Sequence, residues 1–162
     1  MWIARFGHAL GFSAERMERM QKAAYHLGRD WLSDHSSASA GLTRVEPVET
    51  LSKSKEWDET QMVRNQRSAD YVEQVLKVPE VSRIIRHVSE RWDGNGAPDG
   101  LRGESIPIES RVLAILEVFL SELYLTEDQA AALAHVWEGA GRQFDPKLVE
   151  TLEALIEEEI KR

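Results

Sequence analysis

Residues 90–119 read ERWDGNGAPDGLRGESIPIESRVLAILEVF, and they join a glycine-rich loop to an apolar helix. Gly94, Asn95 and Gly96 tolerate the positive backbone angles that tight turns require. The apolar run VLAILEVFL contains a single carboxylate, Glu117. An ionised carboxylate in such surroundings is costly unless it is paired. The loop and Glu117 are therefore the features of this stretch that call for a functional explanation.

Helical patterns flank this stretch on both sides, and alternating strand patterns are missing over any useful length. The predicted helix starts are Ser13 (for a helix reaching Asp34), about Asp58, Pro79, Pro107, Thr126 with Gln129 as a capping box, and Asp145 with Pro146. These signals combine N-capping residues with proline in the first helical turn. They predict an all-α fold, a single compact multi-helix bundle of about six or seven helices.

The length of 162 residues suits one domain, spanning 1–162. The first helical segment is short, which suggests either a trimmed domain or an N-terminus cut from a longer one. Residues 35–57 change character, with the small-residue run SSASAG and Pro47. We interpret 35–57 as a long loop or a remodelled segment.

Composition excludes several classes of function. The net charge of -8 disfavours nucleic-acid binding, because an acidic surface repels phosphate backbones. The chain contains no cysteine, which rules out disulfides, cysteine-ligated metals and a thiol nucleophile. No apolar run approaches the ~20 residues that cross a bilayer, and no leader pattern is visible. A cytoplasmic protein without a membrane partner is the expectation.

The central stretch resembles the HD-GYP family of the HD phosphohydrolase superfamily, whose hallmark is HHExxDGxGYP followed by a GLxGexIPL segment. The matching positions are Glu90, Asp93, Gly94, Gly96, Pro98, Leu101, Gly103, Ile106, Pro107, Arg111 and Phe119. AAYHLGRDWLSD and QFDPKLVETL resemble further segments of that family. The resemblance implies an HD-domain-like bundle, cyclic di-GMP phosphodiesterase activity and a role in bacterial signal transduction.

The residues at the implied metal-ligand positions are different, however. These positions fall on Tyr25, His26, Asn65, Val88, Ser89 and Glu117. Only Glu117 keeps a carboxylate there, and valine cannot bind a metal at all. We therefore predict a degenerate domain that is not an enzyme, with no catalytic residue, no bound metal and no cofactor. The vestigial ligand candidates are His26, Glu117 and His87.

Two of these residues also have structural interpretations. Glu117 could form a buried ion pair with Arg29, Arg111 or His26, or it could have a raised pKa. His26 lies beside the apolar stripe of its helix, where a lone histidine is more often a hydrogen-bonded core residue than a ligand.

The function predicted from these observations is a catalytically inactive signalling module that acts by protein–protein interaction. The predicted partner-binding loop consists of Trp92, Asp93, Gly94, Asn95, Gly96, Ala97 and Pro98. Its glycines and an amide-capping Asp93 also explain it structurally. The resemblance implies a GGDEF-type or other signalling domain as the partner, and a homodimer is a further candidate. Two alternatives remain open: a phosphodiesterase with a remodelled metal site, and a nucleotide sensor that does not hydrolyse its ligand.

Overall fold

The computed structural model describes residues 2–27 and 55–161, with side chains from residue 61 onward in the second range. Within these ranges the chain forms seven α-helices and no β-strand, which confirms the all-α prediction. The helices are α1 (Trp2–Ala9), α2 (Ala14–His26), α3 (Lys55–Gln74), α4 (Pro79–Arg86), α5 (Ile108–Thr126), α6 (Gln129–Glu138) and α7 (Pro146–Ile160). None of them is long and apolar enough to cross a membrane.

The central helix of the bundle is α5, which contacts α1, α2, α4, α6 and α7. Most of the apolar run predicted from the sequence is fully buried on this helix. The buried apolar side chains of α5 are Val112, Leu113, Ile115, Leu116 and Phe119. Burying one such side chain contributes about 1.5–3 kcal/mol to folding, so α5 anchors the core.

The helix starts predicted from proline and capping signals are largely confirmed. The Ser13 hydroxyl accepts a hydrogen bond from the Arg16 amide at the start of α2, and Pro79 begins α4. Asp145 caps α7 by accepting from the Lys147 amide. These signals work because each satisfies or removes an amide that the first helical turn leaves unbonded.

The predicted capping box at Thr126 is wrong. Thr126 is the last residue of α5, and its hydroxyl donates back to the carbonyl of Glu122. Glu127 adopts a left-handed conformation (φ 53°) and ends α5, so the N-cap of α6 falls on Asp128. The Asp128 carboxylate accepts from the amides of Ala130 and Ala131, which makes it the stronger cap.

Some sequence predictions fall partly on residues that the structure does not describe. The helix predicted from Ser13 to Asp34 ends at His26 with Leu27 as its C-cap, and residues 28–34 lie outside the described residues. Residues 35–54 of the predicted loop or remodelled segment also lie outside the described residues. Its last three residues belong to the first turn of α3.

Candidate active site

The glycine-rich loop between α4 and α5 is held together by the carboxylate of Glu90. Glu90 is 5% exposed, and its Oε1 accepts from the Asp99 amide at 2.7 Å while its Oε2 accepts from the Leu101 amide at 3.0 Å. One carboxylate thus satisfies two backbone amides on the far side of the loop. Glu90 fixes the backbone at Asp99 and Leu101, and it thereby positions the Asp99 side chain.

Two glycines allow the loop to pass this close to Glu90. Gly94 has φ +84°, which side chains rarely adopt. A Cβ on Gly96 would lie 2.3 Å from the Arg91 nitrogen and 2.6 Å from the Glu90 Cα. The Asp93 carboxylate accepts from the Asn95 amide at 3.0 Å, as expected for a residue that caps the turn.

The loop also packs against the turn that precedes α7. The Trp92 amide donates to the Gln143 carbonyl, and the Asp93 amide donates to the Arg142 carbonyl at 2.8 Å. Trp92 is half-buried, and the Arg111 guanidinium stacks over its ring at 5.6 Å. Because Trp92 is not fully exposed, it offers only part of its ring to a docking partner, and the partner-binding role of loop 92–98 stays a prediction.

Asp99 brings a carboxylate to the end of α4. Its Oδ2 lies 2.9 Å from Nε2 of His87, and both its oxygens accept from the Arg86 guanidinium at 3.1 Å. The hydrogen bonds from Arg86, and secondly that from His87, lower the pKa of Asp99 to about 2. Asp99 is therefore ionised at neutral pH and is aimed at the imidazole.

His87 is buried at the C-cap of α4, and both of its ring nitrogens are engaged. Nδ1 lies 2.8 Å from the Arg83 carbonyl, and Nε2 faces Asp99. Both partners carry acceptor oxygens, so a proton on either ring nitrogen has a hydrogen-bond partner.

His87, Glu90 and Asp99 together offer one imidazole nitrogen and two carboxylate oxygens, all within 4.8 Å of one another. We call these three residues the donor cluster. It is the only group of three or more such donors within the described residues. One nitrogen and two carboxylate oxygens suit a first-row divalent cation such as Mn²⁺, and a three-ligand set leaves coordination positions open.

The ligand positions implied by the family resemblance do not fit a metal. Asn65 is 2% exposed, and its Nδ2 donates to Ser89 Oγ at 3.0 Å, so these two positions bond each other directly. Val88 is buried and offers no donor atom. Tyr25 is exposed and lies with its ring edge-on to that of His26.

Of the three vestigial candidates, His87 belongs to the donor cluster, whereas His26 and Glu117 do not. Glu117 is half-buried and not enclosed in the core. Of its predicted partners, Arg111 donates to Asp145 at 2.6 Å, and Arg29 lies outside the described residues.

Glu90 and Asp99 were not predicted as donors, because the resemblance assigns its metal ligands to other positions and Glu90 was matched only as part of the loop motif. The spacing of His87 and Glu90, three residues apart at a helix end, was the available local signal. Asp99 had no comparable signal, since the loop geometry alone brings it to His87.

Comparison with known proteins identifies the family. The HD domain family matches residues 2–148. A structure of a cyclic GMP-AMP specific phosphodiesterase from Vibrio cholerae, V-cGAP3, superposes with a TM-score of 0.69 at 24% identity, covering 96% of this chain and 42% of that one. At this identity the superposition supports the shared fold alone.

Curated relatives match in sequence over shorter or longer stretches. The cyclic di-GMP phosphodiesterase response regulator RpfG of Xanthomonas campestris is 47% identical over 73 residues, which is 42% of this chain and 19% of RpfG. The 3'3'-cGAMP-specific phosphodiesterase 3 of Vibrio cholerae is 34% identical over 91 residues, 56% of this chain and 20% of that protein. The 3'3'-cGAMP-specific phosphodiesterase 2 of the same organism is 26% identical over 161 residues, 94% of this chain and 29% of that protein. This chain thus spans less than a third of the length of these relatives.

These findings correct the prediction that the chain is not an enzyme. That prediction counted ligands only at the positions implied by the resemblance. The matching relatives are named as phosphodiesterases, and the donor cluster joins His87 with Glu90 and Asp99, two groups that could hold a metal ion and that the count omitted. The resemblance stated from the sequence is confirmed: this chain belongs to the HD domain family.

Proposed function

We propose that this domain is a metal-dependent phosphodiesterase that acts on cyclic dinucleotides and holds a divalent cation on His87, Glu90 and Asp99. The observation that carries the proposal is the convergence of these three side chains within 4.8 Å at the glycine-rich loop. The class of substrate comes from relatives whose names specify cyclic di-GMP and 3'3'-cGAMP.

Each side chain of the donor cluster would contribute one ligand atom to a bound cation. His87 would contribute Nε2, because its Nδ1 faces the Arg83 carbonyl. Asp99 is already ionised, and Glu90 keeps lone pairs beyond the two that accept backbone amides. When bound, a divalent cation of this kind activates water and stabilises charge on phosphoryl oxygens.

The neighbouring residues orient this set. The Arg86 guanidinium binds both oxygens of Asp99, which fixes the side-chain rotamer of a residue that is 40% exposed. Glu90 holds the Asp99 backbone at the same time. The buried His87 and the exposed Asp99 leave the solvent side of the cluster accessible to a substrate phosphate.

The test is a hydrolysis assay on the whole chain with cyclic di-GMP and 3'3'-cGAMP, with and without Mn²⁺, beside calorimetric titration of Mn²⁺. The proposal expects one bound ion per chain and turnover that depends on it. Stoichiometric Mn²⁺ binding without turnover of either dinucleotide would contradict the phosphodiesterase. Dinucleotide binding without cleavage would support the nucleotide sensor instead.

A further inference from the structure

A polar cleft is formed by Arg91 of the glycine-rich loop, the end of α6 and the turn before α7. Its volume is about 230 Å³, and five of its seven lining residues are polar or charged. The lining residues used below are Arg91, Glu138 and Arg142. Ligand sites for drug-sized molecules occupy about 300–1,000 Å³, so this cleft has room for one planar ring system rather than a whole dinucleotide.

Arg142 lies four residues beyond the end of α6, and most of its side-chain N–H groups have no hydrogen-bond partner among the described residues. One of its terminal nitrogens donates to the Glu138 backbone carbonyl at 2.7 Å, which holds the guanidinium beside that residue. A guanidinium has five N–H groups in a rigid fork. Among the described residues, Arg142 makes no ion pair.

The Glu138 carboxylate lines the same cleft and is also available. Glu138 is exposed on the last turn of α6, and its side chain makes no hydrogen bond or ion pair to any described residue. The cleft therefore combines a fork of donors with a carboxylate that only accepts. A ligand that satisfies both presents acceptors to the guanidinium and donors to the carboxylate.

Guanine has this arrangement. Its O6 and N7 accept the paired N–H groups of an arginine, which is the most frequent specific contact of that base. Its N1–H and N2 amino group point along the neighbouring edge and match the two oxygens of a carboxylate. Adenine places an amino donor where guanine has O6 and has no proton on N1, so it mismatches both groups.

Arg91 also lines the cleft. Its guanidinium is held by Asp93 through two hydrogen bonds, of 3.2 Å and 2.9 Å. Fixed guanidinium planes are surfaces on which nucleobases stack. Arg91 directly follows Glu90, so a lining residue of the cleft is adjacent in sequence to a member of the donor cluster.

We infer that this cleft binds a guanine base through Arg142 and Glu138, with Arg91 as the stacking surface. The inference rests on the proposed function, since it names the base by which the domain selects its dinucleotide. It differs from that function in needing no metal and no bond cleavage.

The test is calorimetric titration of the metal-free whole chain with GMP, IMP and AMP. GMP should bind at least about tenfold more tightly than AMP, since one bidentate contact contributes discrimination of this order. IMP lacks the N2 amino group and should fall between them. Equal affinity for GMP and AMP, or no binding of GMP, would overturn the inference.

Variants assign the preference to its residues. Glu138→Gln should reduce the ratio of GMP to AMP affinity, and Arg142→Lys should do the same because it keeps the charge but loses the fork. Glu150→Gln, an exposed carboxylate on α7, is the matched control and should change nothing. A preference that survives Glu138→Gln would contradict the assignment. Metal-dependent turnover without a GMP preference would leave the proposed function standing, and a GMP preference without turnover would leave this inference standing.

Discussion

The carboxylate of Glu90 accepts a 2.7 Å hydrogen bond from the backbone amide of Asp99, nine residues further along the chain. The contact joins the two acidic members of the donor cluster, because Glu90 sets the position of the backbone that carries Asp99. The same hydrogen bond therefore closes the loop and positions two of the three candidate metal ligands.

Replacing Glu90 with glutamine should destabilise the domain. A carboxamide accepts through one oxygen only, so the amide of Asp99 or Leu101 would face an NH₂ group instead. Losing one partner of a buried hydrogen bond costs about 1–3 kcal/mol. Urea unfolding should show this loss for Glu90→Gln, whereas Glu104→Gln, which is exposed nearby, should unfold like the parent. Equal midpoints for the two variants would mean that Glu90 does not hold the loop.

The loop should reject a side chain at Gly96 far more strongly than at Gly103. A Cβ at Gly96 would collide with the backbone of Glu90 and Arg91, whereas Gly103 has nothing within 4 Å and only a positive φ of +58°. The left-handed conformation costs a non-glycine residue about 1–2 kcal/mol, which sets the expected effect of Gly103→Ala. The melting temperature of Gly96→Ala should lie well below that of Gly103→Ala. The reverse order would contradict the described path of the loop.

Asp99 should make folding stability depend on pH in acid. Its pKa is lowered from 3.8 to about 2 in the folded state, chiefly by the Arg86 hydrogen bond and then by His87. The folded protein therefore binds fewer protons than the unfolded chain, and stability is lost as the pH falls from about 3.8 towards 2.

Melting temperatures measured from pH 5 to pH 2 should show this effect as a difference between the parent and Asp99→Asn. The variant lacks the titrating group. The difference in melting temperature between the parent and the variant should therefore narrow as the pH falls from about 3.8 towards 2. Asp93, whose pKa is also lowered to about 2, titrates in both proteins and cancels from the difference. A gap that stays constant would show that Asp99 is not ion-paired in the folded protein.

Among the contacts beneath the glycine-rich loop, the ion pair between Arg111 and Asp145 should cost the most folding stability when it is broken. Its atoms are 2.6 Å apart, the side chains are 12% and 5% exposed, and Asp145 also caps α7. Removing one partner of a buried pair costs about 3–5 kcal/mol, because the other charge stays buried. Asp145→Asn should lower the free energy of unfolding by this order, and Asp128→Asn at the exposed cap of α6 should have a much smaller effect. Similar losses would mean that the ion pair with Arg111 adds little stability, because asparagine caps a helix about as well as aspartate.

Most of the fold could be predicted from local signals in the sequence. Ser13, Pro79 and Asp145 with Pro146 mark helix starts because each acts on its own first turn, so no tertiary knowledge is needed. The helix start predicted at Thr126 was wrong because Glu127 adopts a left-handed conformation, which ends α5 there and makes Asp128 the N-cap of α6. The sequence has no glycine at this position to indicate such a conformation.

The donor cluster was only partly accessible from the sequence. His87 was a candidate, but Asp99 reaches it through the return path of a loop, and that path depends on Glu90 binding amides nine and eleven residues away. Asn65 and Ser89 bond each other, and the low metal affinity inferred for Asn65 stays a prediction. The count of ligands was confined to the positions implied by the family resemblance, so it left out Glu90 and Asp99.

The most direct test of the proposed function is the rate of cyclic di-GMP and 3'3'-cGAMP hydrolysis at saturating Mn²⁺ for the parent, His87→Gln and His8→Gln. His8→Gln removes an exposed imidazole from α1 and is the matched control. The account predicts Mn²⁺-dependent turnover in the parent and the control. It predicts a loss of at least about a hundredfold in His87→Gln, because replacing a residue that only orients a metal ligand already costs about 10–100-fold. Turnover that is unchanged in His87→Gln, or turnover that does not depend on Mn²⁺ in the parent, would contradict a catalytic metal at His87, Glu90 and Asp99.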